Sequence, residues 1–232
     1  MVPARLVAVT FDALDPAGVA EFWGRLLGGD VVQEARGALL PGDDTQVGLR
    51  FVAASSEKSG PNRLHLHLTS TSGEDQQRTV KIVLGLGGRL LDVGQLPEED
   101  HVVLADPGGN EFCVVGPGNS FLEDCGRLGE VACDGSREVG VFWHEALGWP
   151  LVWDQDGETA IQSPAGGTKV AWGGPSVAPK VGRNRQRFDL AAADLDAETS
   201  RLVALGARRL GNWDEGVELA DPDGNGFRLT RG

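Results

Sequence analysis

The chain repeats itself once, and no other feature of the sequence constrains its fold as strongly. An aromatic-Trp-x-x-x-Leu-Gly pattern begins at Phe22 and recurs at Phe142, about 120 residues later. Three further pairs follow in the same order: Asn62-Arg63 with Asn184-Arg185, Arg89 with Arg208, and the Asp-Pro-x-Gly-Asn-x-Phe segments at Asp106 and Asp221. Four ordered matches at nearly constant spacing indicate a tandem duplication. We place the joint near residues 116–119 and predict two domains, residues 1–118 and 119–232.

Each half contains the elements of two strand–helix–strands modules. The run Leu6–Phe11 predicts a strand, and Asp15 with Pro16 predicts the start of a helix that ends before Gly28. The pattern restarts with a predicted strand over Leu64–Leu68 and a helix over Glu74–Leu86. Four such modules, separated by glycine-rich turns, predict an α+β fold with the helices outside the sheets.

These motifs resemble those of the vicinal oxygen chelate superfamily, which includes glyoxalase I, bleomycin-resistance proteins and extradiol dioxygenases. The resemblance covers nearly the whole chain and is strongest to the glyoxalase-like domain group, in a tandem two-domain form. It implies paired βαβββ modules that form an open, cup-shaped mixed or antiparallel sheet with a small-molecule site in the cup. The superfamily holds lyases, epimerases, dioxygenases and drug-binding proteins, so the resemblance is specific for the fold and not for the activity.

The resemblance also implies where a metal would be held. Metal-dependent members place histidine, glutamate or glutamine on the first and last strands of each module. At the matching positions this chain has Ala8, His65, Cys113, Arg187 and Arg228. Alanine offers no donor atom, arginine is a permanent cation, and catalytic zinc needs about three protein ligands. We therefore expect no cofactor, with a divalent metal bound at His65 as the alternative.

Three residues are candidates for catalytic chemistry. His65 and His67 lie two apart on a predicted strand, so both rings point to the same face of the sheet. That face either lines the cup, where the rings act as acid–base or hydrogen-bonding groups, or is a solvated polar surface. Cys113 is a candidate nucleophile, although a free cysteine more often packs as a small apolar residue.

Six tryptophans stand against no tyrosine, and three of the six are candidates for ligand binding. Trp23 and Trp143 are related by the repeat and are predicted to fill the core. Trp153, Trp172 and Trp213 have no aromatic counterpart in the first half. Because indole rings make good walls for a flat apolar ligand, we predict that they stack on one.

Two arginines are predicted to pair with a charge on that ligand. Arg187 belongs to a local basic cluster with Lys180, Arg183 and Arg185, and Arg228 lies in the closing strand of the second half. Since a guanidinium binds carboxylate and phosphate groups in a bidentate geometry, the pair favours an anionic form of the ligand.

Composition limits the partners and the location. Thirty-four acidic against 21 basic residues give a net charge of −13, which repels nucleic acid and anionic membrane surfaces, so we expect neither as a partner. Three cysteines without a CxxC pair, and an N-terminus without a basic-then-apolar leader, favour the cytoplasm. We expect a monomer with intramolecular domain pairing, or a homodimer.

The leading hypothesis is a glyoxalase-like, bleomycin-resistance-like protein that binds a small apolar or aromatic molecule, neutral or anionic, without a catalytic metal. The first alternative is a metal-dependent lyase, isomerase or dioxygenase that uses His65, and whether the chain is an enzyme stays open. The second alternative is an interaction or scaffold protein with degenerate sites. The sequence does not decide whether modules pair within or between the two halves.

Overall fold

A computed structural model describes residues 3–58, 60–96, 99–173, 184–213 and 215–232, which leaves Lys180 and Arg183 outside the described residues. Within these ranges the chain forms four modules, each a strand, a helix and three more strands. The first half contains β1 (Arg5–Ala13), α1 (Pro16–Leu27), β2 (Val32–Glu34), β3 (Gly37–Leu40), β4 (Leu49–Ala53), β5 (Leu64–Leu68), α2 (Gly73–Gly85), β6 (Arg89–Leu90), β7 (Val102–Ala105) and β8 (Glu111–Val114). The second half contains β9 (Leu128–Asp134), α3 (Arg137–Leu147), β10 (Leu151–Gln155), β11 (Glu158–Gln162), β12 (Lys169–Gly173), β13 (Gln186–Ala192), α4 (Leu195–Ala204), β14 (Arg208–Trp213), β15 (Gly216–Ala220) and β16 (Gly226–Arg231).

The described strands form two eight-stranded sheets, and each sheet takes one module from each half. Sheet A has the order β14-β15-β16-β13-β1-β4-β3-β2, and sheet B has the order β10-β11-β12-β9-β5-β8-β7-β6. The halves meet along two antiparallel seams, β1 with β13 in sheet A and β5 with β9 in sheet B. The predicted α+β fold of paired βαβββ modules is confirmed, and the pairing that the sequence left open is between the halves.

Local sequence sets the ends of the helices. The Asp15 side chain accepts a hydrogen bond from the Gly18 N–H at 3.0 Å, and α1 ends at Gly28 with a φ of 80°. The helix that the sequence predicted from Glu74 begins one residue earlier, because Ser72 is the N-cap. The strand predicted over Leu64–Leu68 is confirmed as β5.

The two repeat-related tryptophans join the motifs that define the repeat. Trp23 and Trp143 are each 1% exposed, which confirms them as core residues. The indole N–H of Trp23 donates to Asp106 at 3.0 Å, and that of Trp143 donates to Asp221 at 3.3 Å. Burial raises the pKa of both aspartates, although these hydrogen bonds oppose the shift. In each half, the first helix is thereby held to the last turn of the second module.

The helices cover one face of each sheet and leave the other face open. In β5, the leucines Leu64, Leu66 and Leu68 belong to the same core as Trp23, so His65 and His67 point away from the helices. We call these uncovered surfaces the open faces of sheet A and sheet B. No helix in the described ranges is long and apolar enough to cross a membrane.

Candidate functional site

A cavity of about 420 Å³ lies on the open face of sheet B, and we name it site B. One wall is aromatic: Trp153 of β10, which is 38% exposed, meets Phe121 edge to face with ring centroids 5.9 Å apart. The lining residues in the described part of the chain are His65, Phe121, Glu130, Ala132, Cys133, Asp134, Trp153, Glu158, Thr159, Ala171, Trp172 and Gly173. Site B therefore combines an aromatic wall with carboxylate and imidazole groups.

The connecting segment between β8 and β9, residues 115–127, forms part of the wall of site B. Its short 3₁₀ helix, Ser120–Leu122, places Leu122 against Val103, Cys113 and Val115 on the open face of the sheet. The Lys169 ammonium donates to the carbonyl oxygen of Phe121 and lies 4.6 Å from the centroid of its ring. These contacts hold Phe121 over the sheet, so the connecting segment becomes part of the wall.

An ion pair of His67 and Glu130 crosses the seam beside site B. Nδ1 of His67 lies 2.6 Å from Oε2 of Glu130, and the ring also hydrogen-bonds to the thiol of Cys113 on β8. Burial opposes charging of the ring, but the hydrogen bonds to Cys113 and Glu130 outweigh it and raise the pKa of His67 to about 10. His67 is therefore a cation at neutral pH and cannot accept a proton there.

His65 has the opposite electrostatic character. Burial, together with the charge of His67, lowers the pKa of His65, so its ring is neutral at pH 7. The two ring centroids are 5.9 Å apart, and within the described residues Nδ1 of His65 is buried without a hydrogen-bond partner. A neutral imidazole that lines a cavity can exchange a hydrogen bond or a proton with a bound molecule.

The open face of sheet A, which we name site A, carries arginines that are engaged by other groups of the chain. Arg187 donates to Asp12 at 3.0 Å and has its Nε 3.5 Å from Asp189. Arg50 donates to Asp189 at 2.7 Å and to Glu34 at 2.9 Å. The guanidinium of Arg228 lies 4.4 Å over the ring of Trp213. The charges of site A are thus compensated from within.

The family of the chain follows from its match to a family model described as Glyoxalase-like domain, which covers residues 8–115 and 130–230. The chain belongs to this family. The two matched segments correspond to the two halves of the repeat, and the resemblance to the vicinal oxygen chelate superfamily is confirmed. No curated protein sequence gives a match to this glyoxalase-like chain.

Solved structures share the fold of this glyoxalase-like chain at low sequence identity. Glyoxalase I from Zea mays gives a TM-score of 0.71 at 12% identity, with 98% of this chain and 92% of that chain covered. A putative dioxygenase from Bacillus subtilis subsp. subtilis str. 168 gives 0.60 at 12% identity, with 99% and 86% covered. At such identities the likeness shows the fold alone.

Whether a divalent metal fits site B depends on its donor atoms. Among the residues that the structure describes, no three His, Cys, Asp or Glu side chains converge closely enough to hold a metal ion. The ring of His67 is protonated, so both of its nitrogens carry a hydrogen and neither offers a lone pair to a metal. The described donor set of this glyoxalase-like chain therefore does not fit a catalytic metal, and whether the protein carries one stays a prediction.

The structure brings some predicted site residues of the glyoxalase-like chain together. His65 and Trp153 line site B, and His67 and Cys113 lie beside it. Trp172 borders the same cavity, but it is 2% exposed and stacks on Trp143 in the core, with ring centroids 6.3 Å apart. Trp172 is thus held mainly by the core.

Other predicted residues lie elsewhere, which corrects the idea of one shared site. Trp213, Arg187 and Arg228 lie on the open face of sheet A, where Arg187 and Arg228 already have partners in the chain. The indoles and arginines that the sequence grouped around one ligand are divided between the two sheets, because each sheet takes modules from both halves. Whether any of these residues binds a ligand stays a prediction.

Sequence reasoning missed Glu130 and Phe121. Glu130 follows Ala8 at the same separation as Asn184 follows Asn62, so the repeat itself identifies it as the first-strand residue of the third module. Phe121 lies in the segment between β8 and β9, where no local pattern indicates that the chain covers a site.

Proposed function

We propose that this chain binds a small molecule with an apolar or aromatic body in site B, without a catalytic metal. The observation that supports this is the cavity of about 420 Å³ with Trp153 and Phe121 in its wall. Ligand sites typically measure roughly 300–1,000 Å³ and combine apolar and aromatic walls with a few polar groups. Site B has that size and that composition.

The polar groups of site B suit orientation of a ligand. Ala132, Ala171 and Gly173 carry small or no side chains, so a flat molecule can approach the strands closely. His65 offers a hydrogen bond from a neutral ring, and the ion pair of His67 with Glu130 holds the neighbouring carboxylate in place. A bound aromatic ring would stack against Trp153 or meet it edge to face.

A binding screen with the full chain tests the proposal. Thermal shift and calorimetry against aromatic compounds in cationic, neutral and anionic forms should identify ligands that raise the Tm with concentration. Trp153→Ala should abolish the shift, whereas Trp213→Ala, an indole on the other sheet, should retain it. If no compound binds, or if only Trp213→Ala removes binding, site B is not the ligand site.

Elemental analysis of the purified protein tests the metal alternative. The proposal expects no stoichiometric zinc, nickel, iron or manganese. Stoichiometric metal that disappears in His65→Ala would overturn the metal-free part of the proposal and favour a metal-dependent enzyme.

A further inference from the structure

Sites A and B occupy equivalent positions in the two sheets. Read from its β6 end, sheet B repeats the strand order of sheet A, with β9 in the place of β1 and β5 in the place of β13. Across the seams, Thr10 pairs with Arg187 in sheet A, and Ala132 pairs with His65 in sheet B. These registers make His65 the counterpart of Arg187. Two residues further along β1 and β9, they make Asp134 the counterpart of Asp12.

Two cations of site A have no counterpart in site B. In site A the Asp12 carboxylate accepts from Arg187, and Arg50 pairs with Thr10 on the neighbouring strand. The corresponding residues of site B are His65 and, next to Ala132 on β12, Ala171. Both line the cavity. Site B thus has an open volume and an aspartate where site A has guanidinium groups and the equivalent aspartate.

The carboxylates of site B exceed its cations. Glu130, Asp134 and Glu158 line the cavity, and no lysine or arginine of the described residues lines it. Glu130 is paired with His67. Within the described part of the chain, the side chains of Asp134 and Glu158 have neither an ion-pair nor a hydrogen-bond partner. His65 does not supply the missing charge, because burial lowers its pKa.

The aromatic wall already holds one cation of the chain itself. The Lys169 ammonium lies 4.6 Å from the centroid of Phe121, on the segment that encloses the cavity. Aromatic rings attract cations through their negative faces, and the indole of Trp153 in the same wall is the stronger partner of the two.

We infer that the ligand of site B carries a cation, an ammonium or a guanidinium on an apolar or aromatic body. The cation binds beside Asp134, as the Arg187 guanidinium binds beside Asp12 in site A. This inference rests on the proposed function, because it assigns the charge of the ligand of the same site. A cation compensates the carboxylates within a partly enclosed cavity, whereas an anion is repelled by them.

A matched set of probes tests the charge. Binding of 2-phenylethylamine, benzylguanidine, 2-phenylethanol and 3-phenylpropionate to the full chain is measured by calorimetry in 50 mM and 500 mM NaCl. We expect at least one of the two cations to bind about tenfold tighter than the alcohol, equivalent to about 1.4 kcal/mol. The carboxylate should bind most weakly, and the preference for the cation should shrink at high salt. Comparison of the first two probes distinguishes an ammonium from a guanidinium site.

Three variants localise the effect. Asp134→Asn should remove most of the cation preference, and Glu158→Gln at the exposed rim should remove part of it. Glu138→Gln, on the exposed face of α3, changes the net charge equally and should keep the preference. Should Asp134→Asn fail to fold, Glu158→Gln and the salt dependence decide.

The outcomes separate this inference from the proposed function. If the alcohol or the carboxylate binds as tightly as both cations, the inference is overturned, and the site remains an aromatic-binding one. The same holds if Asp134→Asn and Glu158→Gln leave the preference unchanged. If no aromatic compound of any charge binds, both the proposed function and the inference fall.

Discussion

Because His67 and Glu130 form an ion pair, the folded chain should lose stability as the pH becomes alkaline. The folded-state pKa of His67 is about 10, against an ordinary value near 6.5, so the proton binds more tightly to the folded state. The resulting stabilisation is fully present below pH 6.5 and is lost as the pH rises through 10. A hydrogen bond to a charged group contributes about 1.5–3 kcal/mol, which sets the scale of the loss.

Urea unfolding at pH 6.5 and pH 10 measures this loss. The wild type should lose more free energy of unfolding between the two pH values than His67→Gln, which carries no titrating ring. His101→Gln removes a histidine that has no ion-pair partner among the described residues, so this variant should behave like the wild type. Equal losses in the wild type and His67→Gln would contradict the assigned ion pair.

Single residues of site B were predictable where strand alternation decides them. The spacing of His65 and His67 placed both on the face opposite the leucines of β5, and the structure confirms it. The ionisation states could not be predicted, because they depend on Glu130 and Cys113, which lie on other strands. Two histidines on the same face of one strand therefore have pKa values shifted in opposite directions.

Among the elements, α3 packs so closely on sheet B that one methyl group should be felt. A Cβ at Gly140 would lie 1.8 Å from Oγ1 of Thr159 on β11 and 3.3 Å from the ring of Trp172. Gly140→Ala should therefore destabilise the fold by about 1–3 kcal/mol through overpacking. Gly85→Ala at the end of α2, where a Cβ meets nothing within 4 Å, should be neutral or stabilising by up to about 1 kcal/mol.

Thermal denaturation of the two alanine variants checks this contrast. Gly140→Ala should lower the Tm by several degrees, since about 1 kcal/mol corresponds to roughly 2–4 °C in a domain of this size. Gly85→Ala should leave it unchanged or raise it. A loss in both variants, or in neither, would show that the tight contact of α3 with β11 is misplaced.

Helices were more predictable than strand ends. Asp15, Pro16 and Gly28 carry their signals locally, through a cap, a fixed φ and a left-handed stop, so α1 was predicted with its observed bounds. The strand predicted over Leu6–Phe11 extends over Arg5–Ala13 as β1, since its ends depend on pairing with β13 and β4. The connecting segment could not be predicted as a wall of site B, because Trp153 and Lys169, which contact its Phe121, are distant from it in sequence.

At the scale of the whole molecule, the pairing of modules is the feature that the sequence could not decide. Each of the four modules begins with a strand, and the sequence does not choose between pairing these strands within a half and pairing them between halves. In the structure, a tryptophan–aspartate hydrogen bond joins the two modules of the same half, whereas strand pairing joins modules of different halves. Trp23 joins modules of the same half through Asp106, while β1 and β5 pair with strands of the other half.

This division predicts that the two halves unfold as one unit. Each sheet contains strands of both halves, so unfolding either half would expose the seam strands β1 and β5, or β9 and β13, of the other. Destabilising the second half with Gly140→Ala should therefore lower the stability of the first half by the same amount. Native-state hydrogen exchange provides the test, because it reports the opening free energy of each strand separately.

In that experiment, the slowest amides of β5 in the first half and of β9 in the second half should respond to Gly140→Ala by equal free energies. Helix α2 belongs to the first half and is far from Gly140 in sequence. Those of its amides that exchange by global unfolding should lose the same opening free energy. A loss of protection confined to the second half, or two separate urea transitions by circular dichroism, would mean that the seams are weaker than the packing within each half. The two halves would then unfold independently, although their strands pair in the same sheets.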